Sequence, residues 1–247
     1  MDSVQYIWRP PSGVPALKAR DIHVWRVCLD RDSFYVKTLF QTLSSDERQK
    51  AENYHVNKDG YRFVVARGML RKILGSYLRL SPNRIGFSYN RYGKPFLDSE
   101  DNSFRFNVAH SRGLALIAVT RGREVGIDIE FVDENIEILK IAQSAFSPTE
   151  LSKLQTLESN LQAAAFFRGW TRKEAYLKAV GTGFSDPKKQ LADPLMAAEL
   201  HNSSRITGFE KIRDWTLATL ASEHKYMAAL AVEGEIGTIR YHQLCIE

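Results

Sequence analysis

The sequence predicts an α+β fold. Two long segments carry apolar residues at helical spacing, several short segments alternate like strands, and the two kinds mix without strict β-α-β alternation. With 44% hydrophobic and 26% charged residues over 247 positions, the chain resembles an ordinary globular protein, which argues against disorder, collagen and coiled coil. The longest apolar runs, such as Leu114 to Val119, are far too short to span a bilayer. No apolar signal segment is visible at the N-terminus, and Cys28 and Cys245 make neither a metal knuckle nor a disulfide framework. The expectation is a reduced, cytoplasmic protein without membrane association.

Residues 1–20 read as a loose arm interrupted by Pro10, Pro11, Gly13 and Pro15. Ile22 to Leu29 alternates as a strand. Ser44 to Glu47 has capping-box spacing, so a helix follows it. A second helix spans about 59–80, where Phe63, Ala66, Leu70, Leu74 and Tyr77 recur at helical intervals. Short strands flank the turn at 90–95, and strands at 103–108 and 114–120 surround a loop at His110. Residues 124–131 form a further strand and 136–146 a helix, and Ser147-Pro148-Thr149-Glu150 starts the next one. Ser159 or Asn160 caps a long helix that ends near Gly181. Beyond it, strands are expected at 215–221 and 226–233.

The formal charge of +5 is unevenly spread. Residues 1–122 hold 20 Lys and Arg against 11 Asp and Glu, whereas residues 123–247 hold 14 against 18. A basic half joined to an acidic half fits a polyanion-binding face. It fits equally a junction where phosphates meet one side and a cation-binding carboxylate cluster the other.

Val125-Gly126-Ile127-Asp128-Ile129-Glu130 places Asp128 and Glu130 on one face of a strand, since residues two apart point the same way. Alone, such a pair also suits a solvated edge. In Trp170 to Lys178, residues Trp170, Glu174 and Lys178 lie one turn apart on one helix face. Glu174 and Lys178 alone are an ordinary i,i+4 pair. Together the two segments offer three carboxylates beside a cation, with no His or Cys cluster nearby. Oxygen-only donors suit a hard ion such as Mg2+, with Mn2+ also accepted, and the Lys suits a phosphate. Gly93, Lys94 and Pro95 combine flexibility, charge and rigidity in a turn that suits an anion or a plain hairpin. Asn107 and His110 follow on a strand and its loop, and Lys58 and Arg62 lie one turn apart on a helix.

Four of these segments, in this order and spacing, resemble the 4′-phosphopantetheinyl transferase superfamily: YGKP at 92–95, FNVAHS at 106–111, GIDIE at 126–130 and WTRKEAYLK at 170–178. The length matches its larger, monomeric Sfp-type class. The resemblance implies two similar subdomains, here 1–122 and 123–247, related by a pseudo-twofold axis with the active site in the cleft between them. It implies transfer of the phosphopantetheine arm of coenzyme A to a serine of an apo acyl or peptidyl carrier protein, releasing 3′,5′-ADP. By motif, Asp128, Glu130 and Glu174 would hold Mg2+, Glu174 would help deprotonate the serine, and Lys178 would neutralise the pyrophosphate. Gly93, Lys94 and Pro95 would meet the adenine end of coenzyme A, and Asn107 to His110 its phosphates, with Lys58 and Arg62 as further contacts. Where relatives carry Ser or Thr before the His, this chain has Ala109. The rival readings are an inactive coenzyme A-binding scaffold and a nucleic-acid-binding protein; the latter leaves the three carboxylates unexplained.

Overall fold

In the computed structural model, the described residues are 16–99, 103–181, 209–212, 214–220, 222–223 and 225–244. The first half runs β1 (Ile22–Cys28), α1 (Ser33–Phe40), α2 (Ser45–Glu52), α3 (Asn57–Leu78), β2 (Phe87–Tyr89), β3 (Pro95–Leu97), β4 (Phe104–Ser111) and β5 (Leu114–Arg121). The second half repeats that order: β6 (Val125–Phe131), α4 (Ile138–Ala145), α5 (Pro148–Gln155), α6 (Ser159–Val180), β7 (Phe209–Ile212), β8 (Trp215–Leu220) and β9 (Tyr226–Glu233). Each half is thus a strand, two eight-residue helices, one 22-residue helix, then more strands. A last strand, β10 (Ile239–Gln243), returns to pair in parallel with β1.

The two main sheets have the orders β10-β1-β5-β4 and β6-β9-β8-β7, and β2 and β3 form a separate hairpin. Alternation assigns every strand two faces. Ile22, Val24, Leu116 and Ala118 of the first sheet meet Ile127, Ile129, Leu230 and Val232 of the second in one apolar layer between the sheets. The opposite face of the first sheet, with Trp25, Val27 and Ile117, packs on α1 and α3. The opposite face of the second carries α6 through Ala175, Leu177 and Ala179. The layers therefore run helix, sheet, sheet, helix.

The capping boxes expected at Ser44–Glu47 and Ser147–Glu150 are both formed, and each does a second job. Glu47 also takes Arg71 of α3 at 2.7 Å, and Glu150 takes Lys173 of α6 at 2.6 Å. All four residues are buried. Arg71 and Lys173 stand at the same position of their 22-residue helices, the fifteenth. A buried carboxylate at a helix start needs a cation, and the long helix of each half supplies it. The same device fastens helices in both halves.

Several expectations are corrected. His110 lies inside β4, paired with Ala115, because the hairpin needs only Arg112 and Gly113 as its turn. Helix α1 was not anticipated; Asp32 caps it by accepting the N–H of Tyr35 at 2.9 Å. Helix α6 starts after Glu158, so Ser159 and Asn160 fall inside it rather than capping it. Cys28 is disulfide-bonded rather than free, because β10 brings the end of the chain beside β1. Cys245, like the arm at 1–15, lies outside the described residues. A division at residue 122 falls between β5 and β6, but β10 crosses back over it to join the first sheet.

Two stability predictions follow from this packing. A Cβ on Gly126 would stand 2.0 Å from the carbonyl oxygen of Ala175 and 2.3 Å from the nitrogen of Ala179. Gly126→Ala is expected to cost about 3 kcal/mol or more and to lower the melting temperature by roughly 6 °C or more in a thermal melt. His23 is fully buried beneath β10, with Nδ1 2.7 Å from the hydroxyl of Tyr77. Burial, then His242 and Arg240, depress its pKa from 6.5 to about 4. An unfolded chain therefore binds a proton there that the folded chain refuses, and stability falls as pH drops from 6.5 towards 4. Denaturant unfolding of wild type and His23→Gln between pH 7 and 4 checks this: the acid loss should be shallower in the variant.

Candidate active site

Helix α6 lies across β6 with nearly matched repeats. Four helical residues rise about 6 Å and two strand residues about 6.7 Å, so the helix face that carries 178, 174 and 170 stays beside the strand face that carries 126, 128 and 130. Gly126 sits directly beneath Ala175 and Ala179. Next along the strand, Asp128 is 3% exposed, and its Oδ1 accepts from the ammonium of Lys178 at 2.6 Å. Glu130 is half-buried; its Oε2 accepts from the Ser111 hydroxyl at 2.9 Å, and the indole of Trp170 donates to its carboxylate. The Ser111 hydroxyl in turn accepts the N–H of Phe131 at 3.0 Å.

Negative charge is crowded here. Burial pushes the Asp128 carboxyl above its usual range, opposed first by Lys178. Burial and Asp128 together raise Glu130. Glu174 is raised from 4.5 to about 7 by burial, with Asp128 and Glu130 adding to the shift and Lys178 opposing it. Asp128 Oδ2 is buried and finds no hydrogen-bond partner among the described residues. An orphaned carboxylate oxygen beside two more carboxylates fits a divalent cation with oxygen ligands. As the side chains stand, no group of three His, Cys, Asp or Glu among the described residues closes round one point. Lys178 supplies the positive charge on Asp128 instead.

Opposite this cluster stands the β2–β3 turn. Asn90 Oδ1 accepts the N–H groups of Tyr92 and Lys94 at 2.9 and 3.0 Å, and Gly93 has the left-handed φ of 83° that the turn requires. Asn90 Nδ2 donates to the carbonyl of Gly181 at 2.9 Å, and Lys94 donates to Glu124 at 2.7 Å and to the Ala179 carbonyl at 2.9 Å. The turn is thereby tied to the C-terminal end of α6, whose free carbonyls favour a cation. Between them opens a cleft of about 220 Å³ lined by Gly93, Lys94, Pro95, Asn107, Glu174 and Lys178 among others. A second cavity of about 290 Å³ shares Lys94, Pro95 and Gly181 with it and is walled by Phe96, Phe104 and Phe106.

The remaining expected residues are placed less directly. Asn107 is buried, and its Oδ1 accepts the N–H of Ile127 at 2.9 Å, which joins β4 to β6. His110 stands at the rim, and its pKa is lowered first by desolvation of the inner part of its ring, then by Lys178 and Arg62. Arg62 grips Asp30 with two hydrogen bonds of 2.7 and 2.9 Å, and Lys58 lies 3.7 Å from the same carboxylate. Arg62 is thus paired with Asp30, and the more exposed Lys58 only approaches the same carboxylate. Asn90, Ser111 and Glu124 hold the site together yet were not singled out from sequence. Only Asn90 carried a signal, as an Asn at the head of a Gly-containing turn.

A model of the 4′-phosphopantetheinyl transferase superfamily matches residues 124–231, and a 4′-phosphopantetheinyl transferase N-terminal model matches residues 31–121. The chain is 34% identical to the 4′-phosphopantetheinyl transferase HetI of Nostoc sp., over 94% of this chain and 95% of that one. The chain belongs to the 4′-phosphopantetheinyl transferase superfamily. It is also 40% identical to the transferase gsp of Aneurinibacillus migulanus over 60% of this chain and 62% of the relative. Against Sfp of Bacillus subtilis the identity is 30%, over 59% of this chain and 63% of the relative. Among the described residues no helix is long and apolar enough to cross a membrane.

The raised pKa of Glu174 makes a signed prediction for this transferase-family site. Between pH 4.5 and about 7 the folded chain keeps a proton on Glu174 that the unfolded chain has released, so stability falls as pH rises through that window. Glu174→Gln is expected to raise the melting temperature at pH 8, with the gain vanishing as pH approaches 4.5. Melts of both proteins across that range check it, and an equal gain at both ends would contradict it.

Proposed function

We propose that this protein transfers the 4′-phosphopantetheine arm of coenzyme A to a serine of an apo acyl or peptidyl carrier protein, releasing 3′,5′-ADP. The observation that carries this is the Lys178–Asp128 pair, flanked by Glu130 and Glu174, facing the Gly93–Pro95 turn across one cleft. In a chain of this superfamily, that arrangement sets a carboxylate and a cation beside a space that admits a phosphate chain.

The chemistry follows from charge. Attack of a serine hydroxyl on the β-phosphorus requires a proton acceptor, breaks the bond to the bridging oxygen, and builds negative charge on the α-phosphate that departs as 3′,5′-ADP. Glu174, which lines the cleft, is placed to take that proton. Lys178, oriented by Asp128, stands where an ammonium can balance the charge on the leaving group. Asp128, Glu130 and Glu174 would hold the divalent cation, Mg2+ with Mn2+ as a substitute, which when bound supplies Lewis-acid stabilisation of phosphate charge. Gly93, Lys94 and Pro95 receive the adenine end of coenzyme A, and His110, with Arg62 and Lys58 beyond it, borders its phosphates. Lys94 contributes by holding the turn on α6 as well as by its charge. Asn107 contributes chiefly by joining the two halves. On this reading residues 1–122 form the coenzyme A side and 123–247 the carboxylate side of a cytoplasmic monomer.

Intact-mass spectrometry of an apo acyl carrier protein with this protein, coenzyme A and Mg2+ tests the reading. The expected result is a gain of one phosphopantetheine arm that EDTA abolishes. Asp128→Ala and Glu174→Ala should each remove the gain while the protein stays folded. Coenzyme A binding without transfer to several carriers would instead make the protein a scaffold.

A further inference from the structure

Ser111 has no part in the mechanism above, yet its hydroxyl makes two hydrogen bonds. It donates to Glu130 Oε2 and accepts from the Phe131 N–H, so both of its hydrogen bonds end on the same short stretch of β6. The next residue, Arg112, has a left-handed φ of 50°, a conformation that a side-chain-bearing residue holds only when its surroundings enforce it. The two-residue turn between Ser111 and Leu114 requires it, and the other half holds the side chain. Arg112 pairs with Asp133 at 2.7 Å, and its guanidinium lies 3.6 Å from the centre of the Phe131 ring. The β4–β5 turn of one half is therefore pinned to the end of β6 in the other at Glu130, Phe131 and Asp133.

Glu130 gains most from this. A glutamate has three side-chain torsions, and this one lies beside Asp128, which repels it. Left to itself it would swing away from the like charge. The Ser111 hydroxyl fixes Oε2, and the Trp170 indole donates to the same carboxylate from the helix side. We propose that Ser111 is a positioning residue that presets the Glu130 carboxylate for the divalent cation, so that the turn of the basic half controls the cation affinity of the acidic half. This rests on the reading of Asp128, Glu130 and Glu174 as the cation ligands.

The test compares wild type, Ser111→Ala and Ser111→Thr. Mn2+ binding is measured by electron paramagnetic resonance with coenzyme A present, and transfer is followed as a function of Mg2+. The alanine variant is expected to bind Mn2+ about tenfold more weakly, as loss of one charge-assisted hydrogen bond implies. Its half-saturating Mg2+ should rise by a similar factor, with kcat at saturating metal within about twofold of wild type. The threonine variant, which keeps the hydroxyl, should recover both. Unchanged Mn2+ affinity in the alanine variant would overturn the proposal, as would a loss of kcat at every metal concentration without a shift in metal dependence. If wild type binds no Mn2+ and Glu130→Gln transfers normally, the cation reading itself fails, and the role of Ser111 with it.

Discussion

Helix α6 can lie where it does only because residue 126 lacks a side chain. With a Cβ there, the strand and helix backbones would overlap. The close approach sets the height of the helix over β6, and the matched repeats of turn and strand set its register. Once both are set, Lys178 reaches Asp128, and Glu174 is held within the field of two other carboxylates. The same helix end offers its carbonyls to Lys94 and Asn90, so the opposite wall of the cleft is positioned by the same contact.

The two halves meet this arrangement from unequal directions. Both are built alike, down to a capping-box glutamate neutralised by a buried cation on the long helix. Their surfaces facing the cleft have diverged in charge. The first half brings Arg62, His110 and the turn at 93–95; the second brings carboxylates and one lysine. An apolar layer between the sheets joins them, and polar contacts cross beside it: Asn107 on Ile127, Ser111 on Glu130 and Phe131, Arg112 on Asp133, and Lys94 on Glu124. Much of the polar joinery of the fold thus coincides with the site, and β10 adds a further tie by closing on β1.

Electrostatic strain is concentrated at the same place. Three carboxylates are raised from their usual pKa, one of them with an oxygen that finds no partner among the described residues. A site that served stability alone would have paired or replaced them. Their cost makes sense if a ligand bearing positive charge, or a proton from a hydroxyl, arrives during function.

The sequence by itself determined most element types, though not helix α1 or the strand at His110, together with the alternation that put Asp128 and Glu130 on one face and the one-turn spacing of Trp170, Glu174 and Lys178. Those are local properties, set by periods of two and 3.6 residues, and the motifs in chain order were enough to indicate the family. Both capping boxes were legible for the same reason. Tertiary structure decided which groups actually meet. Lys178 bonds Asp128, fifty positions away, and Lys94 is spent on Glu124 and a helix end. Arg62 is taken up by Asp30, and Ser111 belongs to Glu130. Each of these partnerships joins residues whose separation in the chain carries no periodic signal, so only packing could reveal it. The return of β10 to the first sheet was hidden likewise, because a strand's sequence records which face is apolar but not which neighbour it will find.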